Sequence, residues 1–316
     1  EGTDPVEEVT FRRSNAFESV AKECLAVREA VGLIEIAGFA KYEITGPEAE
    51  VWLSHLLANK MPREGRMVLC PMLNSDGKLI GDFTVAKHRN ERFYIFGSGP
   101  AEEFHMRWFE QHLPESGVAV RALGCDLVGF SIAGPKSNEL LARLTHDDVS
   151  TKAFRFMTIR DMHVGMIPAM VARITFTGDL GYEIWVKNDY QLALHDLLWE
   201  TGQDLGIRHF GSRALDSLRL EKSFGNWARE FRSIYGPFEA DMGRFVDLSK
   251  NDFVGRAAAL AEKEEGPKRM RVTLVIDHDD IDVMGDEPVW HDDKVVGWVT
   301  SGAYAHYVDK SIALAY

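Results

Sequence analysis

A single carboxylate interrupts an apolar segment of the sequence, residues 79–88. Strands rarely contain aspartate, and burying a carboxylate without a partner is costly. Asp82 therefore either accepts hydrogen bonds from the amine of a ligand, or closes the turn that begins at Asp76 and Gly77. The residues alone leave both interpretations open.

A second carboxylate, Glu183, lies between Tyr182 and Ile184 in the segment 174–186, which reads as a hairpin with glycine at both corners. A carboxylate beside aromatic side chains suits a flat heterocycle with adjacent N–H donors, such as the edge of a pterin or a guanine. The alternative is a glutamate on the solvated face of a strand.

Positive charge is concentrated in residues 213–232, although the chain as a whole is acidic. The segment contains five basic residues, Arg213, Arg219, Lys222, Arg229 and Arg232. They could hold the anionic tail of a ligand. They could equally form ion pairs along a helix, such as Arg213 with Asp216.

Composition excludes several classes of protein. The 316 residues include 36 Lys and Arg against 49 Asp and Glu, a net charge of −13, which argues against nucleic acid as the main partner. Without a run of 18 apolar residues, no membrane span is expected. Dinucleotide, nucleotide triphosphate and serine hydrolase motifs are missing, and no histidine or cysteine spacing indicates a metal site. The three cysteines, Cys24, Cys70 and Cys125, are expected as buried thiols in a reducing compartment, the cytoplasm or a mitochondrial matrix.

The elements that would position these side chains repeat along the chain. A strand, a Gly-Pro turn and an amphipathic helix begin at Ile44, and the same order begins at Ile132. Downstream, the strand at 93–96 and its helix are echoed by the strand at 182–186 and its helix. The pattern predicts a duplicated α+β unit.

The end of the sequence changes character. Short strands separated by turn residues follow Arg271, and the charged stretch 261–268 reads as a linker. We therefore predict an N-terminal tail at 1–14, α+β units at 15–125 and 126–260, and a partial C-terminal β-barrel at 261–316. Because the chain starts without methionine and stops inside an apolar run, we expect a fragment of a longer protein.

These segments together resemble the glycine cleavage T-protein (aminomethyltransferase) family, and within it the folate half of dimethylglycine and sarcosine dehydrogenases. The resemblance extends from about Arg12 to Tyr316 and depends on segments 39–47, 71–77, 81–85, 177–183, 211–222, 252–256 and 299–302. A further segment, 224–239, is more similar to the flavin-linked demethylase branch. The resemblance implies a three-domain α+β cloverleaf that binds tetrahydrofolate in a central channel.

The resemblance also implies roles for individual residues. Asp82 matches the catalytic aspartate near folate N10, and Glu183 matches the glutamate that reads the pterin. Phe176 stands where the family carries a pterin-contacting Tyr, with Tyr182 beside Glu183, and Arg213 matches an arginine near the folate. Gly97 replaces an asparagine, so a polar contact is either lost or supplied by Ser98.

The implied reaction is transfer of a one-carbon unit from an N-methyl amine, or from its iminium or formaldehyde product, to tetrahydrofolate, giving 5,10-methylenetetrahydrofolate. FAD is expected only in a partner domain or subunit that oxidises the amine. Three alternatives stay open: direct methyl transfer from a sulfonium or aryl ether, a non-catalytic folate-binding accessory protein, and a scaffold that has lost folate affinity.

Overall fold

The computed structural model describes residues 6, 8, 10, 12–89, 91–278 and 280–316. The helices are α1 (Phe17–Glu29), α2 (Ala49–Leu56), α3 (Glu102–Gln111), α4 (Ser137–Leu144), α5 (Gln191–Thr201), α6 (Ser212–Leu220) and α7 (Arg256–Glu265). The strands are β1 (Val31–Glu35), β2 (Ala40–Thr45), β3 (Arg66–Leu73), β4 (Leu79–Arg89), β5 (Arg92–Gly97), β6 (Ala119–Ala122), β7 (Leu127–Ala133), β8 (Ile159–Val164), β9 (Ile167–Ala172), β10 (Gly181–Lys187), β11 (Ile207–His209), β12 (Val272–Ile276), β13 (Pro288–His291), β14 (Lys294–Ala305) and β15 (Lys310–Ala315).

The first sheet is antiparallel, with strand order β3-β4-β5-β2-β6. One face packs on α2 and α3 through a buried cluster that includes Trp52, Leu53, Phe83 and Phe109. Hydrophobic residues recur every three or four positions in α2, which turns one stripe of that helix onto the sheet. The other face is left for a second layer.

The second sheet has six strands in the order β11-β1-β7-β10-β9-β8. Its core packs on α4 and α5. Strand β1 lies in this sheet, pairing parallel to β11 and antiparallel to β7, although the sequence groups it with the first unit. Helix α1 likewise packs on α6, so the chain from Phe17 to Glu35 belongs spatially to the second sheet. The predicted unit 15–125 therefore contains a helix and a strand that pack with the second sheet.

The predicted repeat appears in the order of the elements. Strand β2 leads into α2 and β7 leads into α4, while β5 leads into α3 and β10 into α5. Gly46 and Gly134 occupy the two equivalent turns, with φ of +123° and +129°. A Cβ on either would lie within 2.5 Å of a backbone oxygen, of Gly117 and of Val27 respectively. Glycine is needed at both turns for its conformation and for the close approach.

The third sheet lies where the partial C-terminal β-barrel is predicted. Strands β12, β15, β14 and β13 form an antiparallel sheet of four strands, and within the described part of the chain it does not close into a barrel. The predicted linker at 261–268 is wrong for residues 261–265, because α7 continues to Glu265. Alanine and glutamate favour helix there, which outweighs the high charge that indicated a linker. Cys125 is exposed, while Cys24 and Cys70 are buried as expected.

The first and second sheets face one another across a buried cluster. Met67, Ala86 and Phe96 come from the first sheet, and Met170 and Trp185 come from the second. Arg66 Nη1 also donates to Thr158 Oγ1 at 2.6 Å across the junction. We call this set the intersheet cluster, and it defines which side chains point into the space between the sheets.

Candidate functional site

Strand alternation places both predicted carboxylates on the facing surfaces of the two sheets. Phe96 of the intersheet cluster pairs with Thr84 of β4, so Asp82, two positions earlier, lies on the same face as Thr84. Glu183 precedes Trp185 by two positions in β10 and therefore shares its face. The strands that carry the two residues thus direct them toward one central region.

Asp82 is half-buried as a residue, but its Oδ1 is fully buried and has no hydrogen-bond partner within the described part of the chain. Burial raises the pKa of this carboxyl to about 7. The charge of Glu230 also raises the pKa, and a hydrogen bond from the backbone of Asp82 lowers it. A carboxyl that titrates near neutral pH can both accept and return a proton. Its orphaned oxygen favours a ligand donor over the turn-closing interpretation.

Glu183 has a similar environment in the second sheet. It lies between Ser131 of β7 and Ala172 of β9, and burial raises its pKa to about 8. The indole of Trp185 opposes that rise. The carboxyl is therefore ready to be ionised by a ligand that supplies N–H donors, as the heterocycle interpretation requires.

Phe176 lies in the turn between β9 and β10 and is half-buried. Its ring is nearly parallel to that of Phe224, with centroids 6.3 Å apart and an interplanar angle of 23°. The turn is fixed by an ion pair between Arg28 and Asp179 and by a 2.8 Å hydrogen bond from Thr175 Oγ1 to the carbonyl of Asp179. The predicted aromatic contact thus comes from a turn anchored to α1.

Ser98 directly follows β5. If the antiparallel register of β4 and β5 is extended by two residues beyond the Thr84–Phe96 pair, Ser98 lies opposite Asp82. Gly97 has no room for a side chain, because a Cβ there would lie 2.7 Å from the ring of Phe83. An asparagine at 97 would need Phe83 to move. Ser98 is therefore the polar residue that the chain offers at this place.

Two predicted cofactor residues lie elsewhere. Tyr182 is fully buried in the core of the second sheet, on the face opposite Glu183, where its hydroxyl accepts a 2.7 Å hydrogen bond from Asn138. Arg213 is exposed at the start of α6 and donates to Ser14 Oγ at 3.4 Å. Tyr182 therefore has the surroundings of a core residue, and we do not carry it into the proposed site.

The arginine of α6 that faces the interior is Arg219, which is 2% exposed. Its guanidinium pairs with Glu230 at 3.2 Å and with Asp216 at 3.1 Å. In the sequence, Arg219 is one of five basic residues between 213 and 232, and the other four are exposed. Helical spacing does not separate Arg219 from Arg213, because offsets of five residues from Ala214 and one from Leu218 do not fall on one helical face; its burial comes with tertiary contacts such as the ion pair with Glu230.

Lys41 is a further residue of the central region that the sequence did not single out. It pairs with Phe96 in the first sheet, is 1% exposed and has its ammonium 5.7 Å from the centroid of the Trp185 ring. Its ammonium donates to the carbonyl of Ala37. Burial lowers its pKa, so the aromatic ring and the carbonyl together hold a cation that has lost its water.

Comparison with known proteins agrees with this arrangement. A family profile described as the GCVT N-terminal domain matches residues 5–250, and a glycine cleavage T-protein C-terminal barrel domain matches residues 269–316. The chain belongs to the glycine cleavage T-protein family. Its fold is shared with a solved family structure, aminomethyltransferase T of Bartonella henselae, at a TM-score of 0.84 and 23% identity over 94% of this chain and 81% of that chain.

Curated relatives within the family include enzymes of two kinds. Human mitochondrial dimethylglycine dehydrogenase is 35% identical over 319 residues, covering 100% of this chain and 37% of that protein. An aminomethyltransferase of Thermoanaerobacter sp. (strain X514) is 31% identical over 302 residues, covering 95% of this chain and 81% of that protein. The chain is thus similar to both, and it spans little more than a third of the length of the dehydrogenase.

Two negative findings concern the residues that the structure describes. Among them, no group of three or more His, Cys, Asp or Glu side chains is arranged to hold a metal ion. Nor does any of the described helices combine the length and the apolar character needed to cross a membrane.

Proposed function

We propose that this chain binds tetrahydrofolate between its first two sheets and transfers a one-carbon unit to it, forming 5,10-methylenetetrahydrofolate. The observation that carries the proposal is the placement of Asp82 and Glu183 on facing sheets, both with pKa values raised by burial. The unpartnered Oδ1 of Asp82 fits a ligand N–H, and family membership makes a reduced folate the ligand to test first.

Each residue has a distinct part in this proposal. Glu183 accepts hydrogen bonds from the pterin edge, and Phe176 supplies an aromatic surface beside it. Asp82 orients N10 and exchanges its proton while N5 and N10 bond to the one-carbon unit. The oxygen of that unit leaves as water when formaldehyde is the donor, and its original nitrogen leaves as the amine when an iminium is the donor. The facing sheets hold the two reactants together and exclude bulk water.

The anionic tail of the folate needs positive charge outside the buried region. Arg213 is exposed in the first turn of α6, and Lys222, Arg229 and Arg232 of the same basic segment are also exposed, whereas Arg219 is buried. We propose that this surface holds the tail electrostatically. Such a contact would be weakened by salt, unlike contacts to the buried carboxylates.

We propose an N-methyl amine such as dimethylglycine or sarcosine as the source of the one-carbon unit. The support is the similarity to dimethylglycine dehydrogenase over the whole of this chain. Oxidation of the amine would take place on FAD in a partner domain or subunit, and the iminium or formaldehyde product would then reach the folate held here.

Titration with tetrahydrofolate, followed by thermal denaturation, tests the proposal. A ligand that binds only the folded chain raises Tm with concentration. We expect this rise for tetrahydrofolate, and a much smaller rise for Glu183→Gln. Product analysis separates the donor classes: 5,10-methylenetetrahydrofolate supports the proposed reaction, whereas 5-methyltetrahydrofolate without a flavin partner would indicate direct methyl transfer.

A further inference from the structure

The segment Phe224–Glu230 connects α6 to the first and third sheets. Its last residue, Glu230, is fully buried and its carboxylate has three partners. Arg219 Nη1 lies at 3.2 Å, the backbone N–H of Asn226 donates at 2.9 Å and Ser301 Oγ of β14 donates at 2.6 Å. Because a buried charge with this many partners is costly to disturb, Glu230 fixes the end of the segment.

The part of β4 that carries Asp82 is weakly held by its own sheet. Opposite β3, Leu79 pairs with Leu73 and Gly81 pairs with Met72, so Ile80 is an extra residue at a bulge. Asp82 itself lies opposite Pro71, which has no N–H to donate. Pairing with β5 begins only at Thr84. A bulge of this kind redirects the following side chain but leaves its backbone in need of other partners.

Trp227 supplies one of those partners from the segment fixed by Glu230. Its Nε1–H donates to the carbonyl of Ile80 at 2.8 Å. The same carbonyl accepts from His105 Nε2 at 3.0 Å. The Trp227 ring packs against the rings of Phe104 and His105, with centroids 5.6 Å and 5.8 Å away. The indole is therefore held in place and holds the bulge.

We propose that Trp227 is a positioning residue for Asp82. Its hydrogen bond to the Ile80 carbonyl holds the β4 bulge, and the bulge sets the direction of the Asp82 side chain. This inference rests on the proposed function, because it needs Asp82 to act on folate. The inference gives a role to the segment 224–239, which is similar in sequence to the flavin-linked demethylase branch of the family. It also links the third sheet to the reaction, since Ser301 helps to fix Glu230 and thereby the segment from which Trp227 reaches β4.

The test compares single substitutions in the full chain, assayed for folate-dependent one-carbon transfer. Trp227→Phe keeps an aromatic ring but removes the donor. Trp52→Phe is the matched control. Trp52 lies on α2, away from the site, and its Nε1–H also donates to a backbone carbonyl, that of His112, at 2.6 Å. Trp227→His restores a ring N–H, and its comparison with Trp227→Phe separates the donor from the bulk of the ring.

We expect Trp227→Phe to lower kcat about tenfold while the Kd for tetrahydrofolate changes by less than about twofold, and to shift the pH profile of kcat. Trp52→Phe should change neither quantity, and Trp227→His should recover at least about threefold in kcat over Trp227→Phe at pH 8. Equal kcat for Trp227→Phe and wild type, or for the Phe and His variants, overturns the inference. If Asp82→Asn is also as active as wild type, the proposed function fails as well, whereas a slow Asp82→Asn beside a fast Trp227→Phe removes only the role of Trp227.

Discussion

Phe96 and Trp185 stack across the junction of the two sheets, with ring centroids 4.9 Å apart and an interplanar angle of 25°. One ring comes from each sheet. Glu183 lies two residues before Trp185, and Asp82 lies two residues before Thr84, the strand partner of Phe96. The stack therefore sets the spacing of the surfaces on which both carboxylates lie.

The stack should support folate binding as well as stability. We expect Phe96→Leu to lower the free energy of unfolding by about 1–2 kcal/mol, because it loses ring contact but keeps most of the buried volume. It should also weaken tetrahydrofolate binding several-fold. Phe109→Leu is the control, since Phe109 is fully buried in the core of the first sheet. Equal loss of affinity in both variants, measured by calorimetry, would contradict a specific role for the stack.

Asp82 should reduce stability at alkaline pH in the absence of folate. Its pKa of about 7 in the fold lies above its ordinary 3.8, so the protonated form favours folding and that stability is lost as the pH rises toward 7 and above. We expect Asp82→Asn to raise the free energy of unfolding by roughly 1–2 kcal/mol at pH 8, a figure reduced for the partial exposure of the residue. The gain should shrink at pH 5. Urea denaturation at the two pH values checks this, and a pH-independent difference would count against the raised pKa.

His105 should act in the opposite pH direction. It is fully buried in α3, and burial lowers its pKa from 6.5 to about 4. Because the unfolded chain takes up the proton first, stability is present above pH 6.5 and falls as the pH drops toward 4. Between pH 7 and pH 5 the protein should lose about 2 kcal/mol through this residue. His105→Gln should show a correspondingly flatter dependence in denaturant titrations, and an unchanged slope would refute the assignment.

The turn that carries Phe176 should depend on its ion pair. Asp179→Ala removes one carboxylate from Arg28 but leaves the pair with Glu221, whose Oε2 lies 2.6 Å from Nη2. We expect a stability loss of about 1 kcal/mol and a several-fold weaker affinity for tetrahydrofolate, because the turn is freed. Asp204→Ala is the control, since that residue is an exposed partner of Arg143. An affinity equal to that of the control would show that the turn does not contribute.

The sequence singles out both carboxylates because a lone acid in an apolar strand is conspicuous. Asp82 and Glu183 stand out in this way, and the repeated strand-turn-helix order was equally readable. Alternation could also have separated Glu183 from Tyr182, since neighbours in a strand point to opposite faces. The prediction that Tyr182 and Glu183 contact the same ligand does not agree with that alternation.

Other features depend on contacts that no local pattern encodes. Nothing near Val31 indicates that β1 joins the sheet of the second unit, where its partners lie about 100 and 176 residues away. The bond from Trp227 to Ile80 likewise spans 147 residues. The burial of Arg219 also depends on its ion pair with Glu230, and Glu230 in turn accepts a hydrogen bond from Ser301 of the third sheet. Such relationships are fixed by tertiary packing rather than by local propensity.

The most direct measurement is the rate of 5,10-methylenetetrahydrofolate formation by Asp82→Asn, together with its affinity for tetrahydrofolate. The substitution keeps the size of the side chain but removes its ability to exchange a proton. We predict an affinity within about threefold of wild type and a rate lower by about 100-fold or more. A variant that binds tetrahydrofolate and turns over as fast as wild type would contradict the central claim that Asp82 acts on the folate.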